Sequence, residues 1–210
     1  LSSGETVECP AGLAAWSLSD IDADGLPDVV VTATGCPYDP IGVDEWRVHR
    51  NTGTGFDPVG ATWHLPQGYP ETTFDTMSEL EGACGPGRPA WTLFDLDGDG
   101  RQDVVVTSDD CGGEEGLGVS EWHGHRNTGV GFDDAMITFA LPPDYALGTF
   151  DRTFEAQANC EAGRPSWELL DLDLDGRRDI VITTDGCASA VDLGVANWWV
   201  HPNSGTGFAA

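Results

Sequence analysis

Lysine is absent from this 210-residue chain, and basic residues of any kind are few. The chain has 9 arginines and 36 acidic residues, so its formal net charge is −27. Such a charge opposes close approach to DNA, RNA or an anionic membrane surface. No apolar run approaches the roughly 18 residues that a transmembrane helix needs. We therefore expect no nucleic-acid partner and no membrane insertion.

Glycine and aromatic residues are plentiful, with 28 Gly, 8 Trp and 8 Phe. High acidity with many glycines is typical of disorder, but the aromatic residues and the Val/Ile runs supply apolar surface that disordered segments lack. We expect the chain to fold. It opens at Leu1 without a basic and apolar leader, which is expected of a processed secretory protein or of a piece of a longer one.

Three sequence repeats account for the chain. Segment 16–32 aligns with 91–107 and 167–183, and segment 45–56 aligns with 121–132 and 197–208. Two separate blocks with one period of 75 or 76 residues indicate a repeat architecture. The predicted repeats are 1–75, 76–150 and 151–210, and together they make one repeat domain. The third ends before its fourth strand.

Each repeat is predicted to hold four short strands. In the first repeat they are Trp16–Asp20, Val29–Thr32, Trp46–Arg50 and Ala61–Leu65, and the last has its counterpart at Ile137–Leu141. The second is rich in β-branched residues, and the third alternates apolar with polar side chains. The Asn-Thr-Gly-Thr-Gly turn at 51–55 predicts a reversal before the fourth strand.

An acidic pattern, Asp-x-Asp-x-Asp-Gly-x-x-Asp, lies between the first two strands of every repeat. Four carboxylates this close repel one another unless a cation binds among them. Calcium binds about six to eight oxygens, including carboxylates and the backbone carbonyl at the seventh position of such a loop. The expected ligands are Asp20, Asp22, Asp24, Leu26, Asp28, Asp95, Asp97, Asp99, Arg101, Asp103, Asp171, Asp173, Asp175, Arg177 and Asp179.

Calcium is favoured over several alternatives. An EF-hand needs Glu at the twelfth position, where this chain has Val31, Val106 and Ile182. Magnesium is less suitable because it prefers a rigid octahedron with retained waters. A polar turn without any metal could explain one such loop, but it explains three identical loops less easily. We predict three Ca²⁺ in a structural role, one per repeat. A coordination position left open for an acidic ligand is the alternative.

Six cysteines form three pairs of equal separation. Folding each repeat back at its acidic loop brings the flanks of the hairpin together, and both cysteines of a pair lie on those flanks. The predicted disulfides are Cys9 with Cys36, Cys84 with Cys111, and Cys160 with Cys187. Zinc is disfavoured because no Cys-x-x-Cys spacing occurs. Disulfides and calcium together predict an extracellular, secreted protein.

These motifs resemble the FG-GAP/VCBS family of calcium-binding β-propeller repeats, which includes the integrin α-subunit propellers. The resemblance covers nearly the whole chain and is most specific in the acidic loops and in the Asn-x-Gly-x-Gly-Phe turns at 51–56, 127–132 and 203–208. It implies an all-β fold with three four-stranded antiparallel blades, the third lacking its last strand. Since propellers close with about 4–8 blades, we expect an open arc or part of a larger propeller or assembly.

The expected function is a structural, adhesion or self-assembly module. The incomplete third repeat offers an open strand edge that a copy of the chain, or another extracellular protein, could extend by β-augmentation. Calcium-dependent carbohydrate binding is the alternative, because aromatic faces suit glycans. The recurring Trp46, Trp122 and Trp198 are expected to pack in the core, whereas the unrepeated Trp63 and Trp199 are candidate glycan contacts.

Catalysis is not expected. His49, His125 and His201 align on the polar face of the third strand, but no Ser or Cys nucleophile with a matching base recurs near them. We interpret these histidines as exposed strand residues.

Overall fold

The chain folds entirely into β-structure in the residues that a computed structural model describes, which are 14–34, 39–78, 89–109, 116–155, 164–185, 193–194 and 196–210. Within these ranges no helix is long and apolar enough to cross a membrane. The strands are β1 (Ala15–Ser19), β2 (Asp28–Ala33), β3 (Glu45–His49), β4 (Ala61–His64), β5 (Ala90–Phe94), β6 (Asp103–Ser108), β7 (Glu121–His125), β8 (Ile137–Ala140), β9 (Ser166–Leu170), β10 (Asp179–Thr184) and β11 (Trp199–His201).

The strands form three antiparallel sheets, one from each predicted repeat. Their orders are β1-β2-β3-β4, β5-β6-β7-β8 and β11-β10-β9. The fold class is therefore confirmed, including a third sheet with three strands in the described residues. The exact repeat boundaries stay a prediction.

Local sequence explains the strands and their faces. The second strand of each sheet is β-branched, as Val29 to Val31 show, and such side chains pack well on a pleated surface. In β3 the side chains of Trp46 and Val48 are buried, while Arg47 and His49 are half-buried. The predicted alternation of this strand is confirmed, and its predicted bounds are wrong by one residue at each end.

The core lies between successive sheets. One apolar cluster joins the first and second sheets, where Trp46 packs edge-on against Phe132 with ring centroids 5.6 Å apart. A second cluster joins the second and third sheets, where Trp122 packs in the same way against Phe208 at 5.7 Å. Among the described residues neither cluster contains side chains of both the first and third sheets. The array of blades is therefore open.

Hydrogen bonds between backbones also connect neighbouring blades. The N–H of Phe132 donates to the carbonyl of His64 at 2.8 Å, and the N–H of Phe208 donates to the carbonyl of Ala140 at 2.8 Å. The fourth strand of one blade thus contacts the glycine-rich turn of the next. All six cysteines lie outside the described residues, so the three disulfides stay predictions.

Candidate metal centre

Each acidic loop contains two residues in the left-handed backbone region. The glycines at the sixth position, Gly25, Gly100 and Gly176, have φ of 88°, 90° and 91°. Glycine adopts this conformation without steric cost, so the loop can turn sharply there. The fourth position is left-handed as well, with φ of 60° at Ala23 and 62° at Leu174. This second turn was not predicted from the sequence, although the glycine at the fourth position of the second loop, Gly98, was a signal for it.

The first aspartate of each loop organises the backbone. Oδ1 of Asp20 accepts the N–H of Asp24 at 3.0 Å, and its Oδ2 accepts the N–H of Gly25 at 2.9 Å. Asp95 and Asp171 accept the equivalent glycine N–H at 2.8 and 3.1 Å. These bonds fold the loop so that the following carboxylates point toward a common centre.

Three carboxylates converge in every loop. In each group the carboxylate oxygens offered as ligands lie within 4.8 Å of one another. The groups are Asp20, Asp22 and Asp28 in the first loop, Asp95, Asp97 and Asp99 in the second, and Asp171, Asp173 and Asp175 in the third. Asp24, Asp103 and Asp179 lie outside these groups. The ligand roles of these three, and of the carbonyls of Leu26, Arg101 and Arg177, stay predictions.

The first group contains buried oxygens without partners. Asp28 is fully buried, and its Oδ1 accepts the N–H of Asn51 at 2.7 Å. Its Oδ2 and the Oδ1 of Asp22 are both buried and have no hydrogen bond of normal geometry, although the backbone N–H of Ile21 acts on the Asp28 carboxyl and Arg50 pairs with the other oxygen of Asp22. Burial raises the pKa of Asp28, and the carboxylates of Asp22 and Asp24 raise it further. A buried carboxylate oxygen without a partner is costly, and a cation at this point would satisfy it.

The ninth-position aspartate of the second loop is bonded differently. Asp103 accepts the N–H of Asn127 at 2.8 Å and the N–H of Leu96 at 3.1 Å. Burial raises the pKa of Asp103 to about 7, and the nearby carboxylates of Asp97 and Asp99 add to that rise. In this loop the backbone therefore occupies both oxygens of the ninth-position carboxylate.

Arginines pair with the clustered carboxylates. The guanidinium groups of Arg101 and Arg177 contact Asp99 and Asp175, the fifth-position carboxylates of their own loops. Leu26 occupies the same place in the first loop. Arg50 likewise pairs with Asp22 of the first loop at 3.1 Å, and Arg126 pairs with Asp97 of the second loop at 3.0 Å. Among the described residues the chain's own cations thus compete with a metal at all three loops, and most at the second, where two arginines pair with the cluster.

The asparagines that begin the glycine-rich turns hydrogen-bond to the last aspartate of each acidic loop. This role was not predicted from the sequence. The N–H of Asn203 donates to Oδ1 of Asp179 at 2.9 Å, as Asn51 and Asn127 do to their own aspartates. The recurrence of Asn at the start of all three turns was the available signal. The turn therefore fixes the aspartate that ends each acidic loop.

The structure separates the candidate tryptophans. Trp46 and Trp122 are fully buried, so their predicted core role is confirmed. Trp63 is also fully buried, and its suggested role as a glycan contact is wrong. Trp198 is 53% exposed, contrary to the expected core packing, because no described blade follows it. Trp199 is 49% exposed, which leaves it accessible as a contact residue.

The prediction that the aligned histidines are exposed is wrong for His125, which is buried. Its Nδ1–H donates to the carbonyl of Asp133 at 2.9 Å, and its Nε2 accepts the hydroxyl of Tyr69 at 2.8 Å. A carbonyl can only accept, so these two bonds fix the neutral tautomer. His201 is half-buried and is held in the same way by the Ala209 carbonyl and the Tyr145 hydroxyl.

Comparison with known proteins shows similarity in structure only. No protein-family model matches the chain, and no curated protein matches it in sequence. A lectin of Agrocybe aegerita that recognises non-reducing terminal N-acetylglucosamine is similar over 94% of this chain and 37% of its own, with 18% identity and a TM-score of 0.46. The Photorhabdus luminescens Tc holotoxin pore is similar over 95% of this chain and 9% of the toxin chain, with 20% identity and a TM-score of 0.43. This chain spans a minor part of either protein.

Proposed function

We propose that the chain is a calcium-stabilised β-propeller repeat module of the FG-GAP/VCBS type that acts outside the cell by binding or assembly and not by catalysis. The observation that carries the calcium site is a pair of buried carboxylate oxygens beside Asp20, Oδ1 of Asp22 and Oδ2 of Asp28, that make no hydrogen bond of normal geometry. A hard divalent cation bound by these oxygens satisfies both atoms and removes the repulsion among the carboxylates.

Calcium suits the three loops better than magnesium because it tolerates irregular, flexible oxygen cages. Three bound Ca²⁺ would change the formal net charge from −27 to −21. We expect the second loop to bind most weakly, since two arginines, Arg101 and Arg126, pair with its carboxylates. Extracellular calcium is abundant enough to fill even weak sites of this kind.

A binding or assembly role is supported by the use of the polar side chains. His125 and His201 are engaged in structural hydrogen bonds, and the aspartate groups are suited to hold a metal. These groups therefore serve the fold. The cysteines add support for an extracellular site of action, because disulfides persist in oxidising surroundings.

The substitution Asp28→Asn tests the calcium site. Without calcium the variant is expected to be at least as stable as the wild type, since the change removes a buried negative charge while the amide oxygen can still accept the N–H of Asn51. With calcium at a hundred times the dissociation constant, each wild-type site adds about 2.7 kcal/mol to the free energy of unfolding. We expect the calcium-dependent gain in the free energy of unfolding to be smaller in the variant by about the contribution of one site. Urea unfolding with calcium and with EDTA measures this gain.

Asp44→Asn is the matched control, because Asp44 is exposed on the same blade and the charge change is the same. It should leave the calcium-dependent gain unchanged. An equal gain in wild type and Asp28→Asn would contradict the proposed site.

Carbohydrate binding is a second candidate, favoured by the exposed Trp199. The two residues that precede it in the chain, Asn197 and Trp198, line a shallow pocket of about 390 Å³. An indole face with a neighbouring amide is suited to stack on and hydrogen-bond a sugar ring. A glycan array checks this candidate: binding lost in Trp199→Ala supports it, and an array without any bound glycan contradicts it.

A further inference from the structure

The outer faces of the first and third sheets expose apolar side chains whose counterparts in the other blades are buried or half-buried. The exposed side chains on the first sheet, here called the first face, are Trp16, Leu18 and Phe56. Those on the third sheet, here called the last face, are Leu172, Trp198 and Val200. Trp16 is 62% exposed, the highest value for any tryptophan in the described residues.

The counterparts of the first face lie in the core. Trp91 and Trp167 occupy the position of Trp16 in the next two blades and are only 1% and 0% exposed. Phe132 and Phe208 occupy the position of Phe56 and are buried as well. In both cases the covering surface is the preceding blade. The first face is therefore a blade surface that lacks its covering neighbour among the described residues.

The counterparts of the last face are also buried. Trp46 and Trp122 occupy the position of Trp198, and both are fully buried. Ile21 and Leu96 occupy the position of Leu172, and both are fully buried by the blade that follows them. The last face thus carries the other half of the same interface.

The two interfaces inside the chain have the same geometry. Trp46 packs on Trp91 with ring centroids 6.2 Å apart and planes at 34°, and Trp122 packs on Trp167 with the same values. A third interface of this kind would place Trp198 against the Trp16 of another copy. It would also set Trp198 edge-on to that copy's Phe56, as Trp122 lies against Phe208.

A polar contact marks each internal interface. The side-chain amide of Asn127 donates to the carbonyl of Ile21 in the preceding blade at 2.8 Å, and Asn203 donates to the carbonyl of Leu96 at 3.1 Å. Asn51, the third member of this set, donates to Pro27 of its own blade at 3.0 Å. Its matching acceptor across an interface between copies is the carbonyl of Leu172.

We propose that the first face of one copy of this chain docks on the last face of a second copy and reproduces the interface between its own blades. The inference deepens the proposed binding or assembly function by naming the partner, and it rests on that function. The contact is head-to-tail, so it closes into a ring or extends into a filament according to the rotation between copies. Because a net charge of −27 opposes association, we expect added salt and calcium to strengthen it.

Two substitutions test the proposal by complementation. Trp16→Asp blocks the first face, and Trp198→Asp blocks the last face; both residues are exposed, so circular dichroism should show a native fold. In sedimentation velocity with calcium, the wild type is expected to form particles larger than one chain. Each variant alone should stay a single chain. Their equimolar mixture should form a complex of two chains, because one intact face of each kind remains.

Leu147→Asp is the matched control, since Leu147 is exposed outside both faces. It should assemble like the wild type. Phe56→Asp is a second block of the first face and should behave like Trp16→Asp.

The proposal would be overturned if the wild type stayed a single chain at its highest soluble concentration. It would also be overturned if either variant assembled by itself, or if the equimolar mixture formed no complex. Calcium titration of the same samples separates this proposal from the calcium site. If the wild type stays a single chain but binds calcium, only the docking proposal is contradicted. If it assembles but binds no calcium, only the metal site is contradicted.

Discussion

At the scale of single residues, the Tyr–His pairs connect one blade to the next. Tyr69 follows the last strand of the first blade, and its hydroxyl donates to His125 in the third strand of the second. Tyr145 and His201 repeat the contact one blade later. Burial lowers the pKa of both histidines below the usual value. Protonation of either histidine removes the acceptor that the tyrosine hydroxyl uses.

Acid is expected to destabilise the fold through His125. Its pKa is lower in the folded than in the unfolded chain, so the unfolded chain takes up the proton first as the pH falls through about 6.5. The contribution of His125 to the free energy of unfolding therefore decreases as the pH drops below about 6.5. It becomes constant once the pH is below the pKa that His125 has in the folded chain. Burial raises the pKa of Asp28 and of Asp103, and these two carboxyl groups act in the opposite direction, so the test is a comparison of variants.

Urea unfolding at a series of pH values checks this prediction. The free energy of unfolding should fall less steeply with acid in His125→Gln than in the wild type. Tyr69→Phe should also show a weaker dependence, because protonation then costs no tyrosine hydrogen bond. Equal slopes in all three proteins would contradict the role assigned to the pair.

The sequence could predict which carboxylates cluster in the acidic loops but not their exact arrangement. Repetition of the aspartates showed which side chains approach one another. It did not show that Asp28 joins the first group in place of Asp24, since that depends on where the folded loop places each oxygen. The burial of His125 was missed because it is caused by Tyr69, which comes from the neighbouring blade.

At the scale of elements, the acidic hairpin depends on left-handed backbone at two positions. The sixth-position glycine was predictable from the loop pattern, and the strands beside it from their β-branched residues. The fourth position was not, because alanine and leucine rarely adopt φ near +60°. Their conformation is imposed by the bonds from the loop backbone to the first aspartate.

Gly25→Ala is expected to lower the free energy of unfolding by about 1–2 kcal/mol, the cost of a Cβ in the left-handed region. Nothing lies within 4 Å of the position that the new Cβ would take, so the effect comes from the backbone alone. Thermal or urea unfolding measures it. Gly55→Ala is the control, because its Cβ also meets nothing and its φ is not in the left-handed region. Equal effects of the two substitutions would refute the argument.

At the scale of the whole molecule, equivalent residues have different surroundings. Trp122 and Trp198 occupy the same place in a repeat, yet one is fully buried and the other is half exposed. Sequence repetition predicted the blades and their antiparallel sheets correctly. It could not predict this difference, because the burial of a residue on a blade face depends on the neighbouring blade and not on the repeat itself.

Calcium stoichiometry is the most direct test of the central claim that each repeat holds a metal in its acidic hairpin. The folded protein should be dialysed against buffered calcium, and bound metal should be counted per chain by atomic emission, with circular dichroism to confirm the fold. Metal binding to a folded site that the unfolded chain lacks also adds to stability. The expected result is three calcium ions per chain, with fewer after the first loop is altered. A folded chain that binds none would contradict the account.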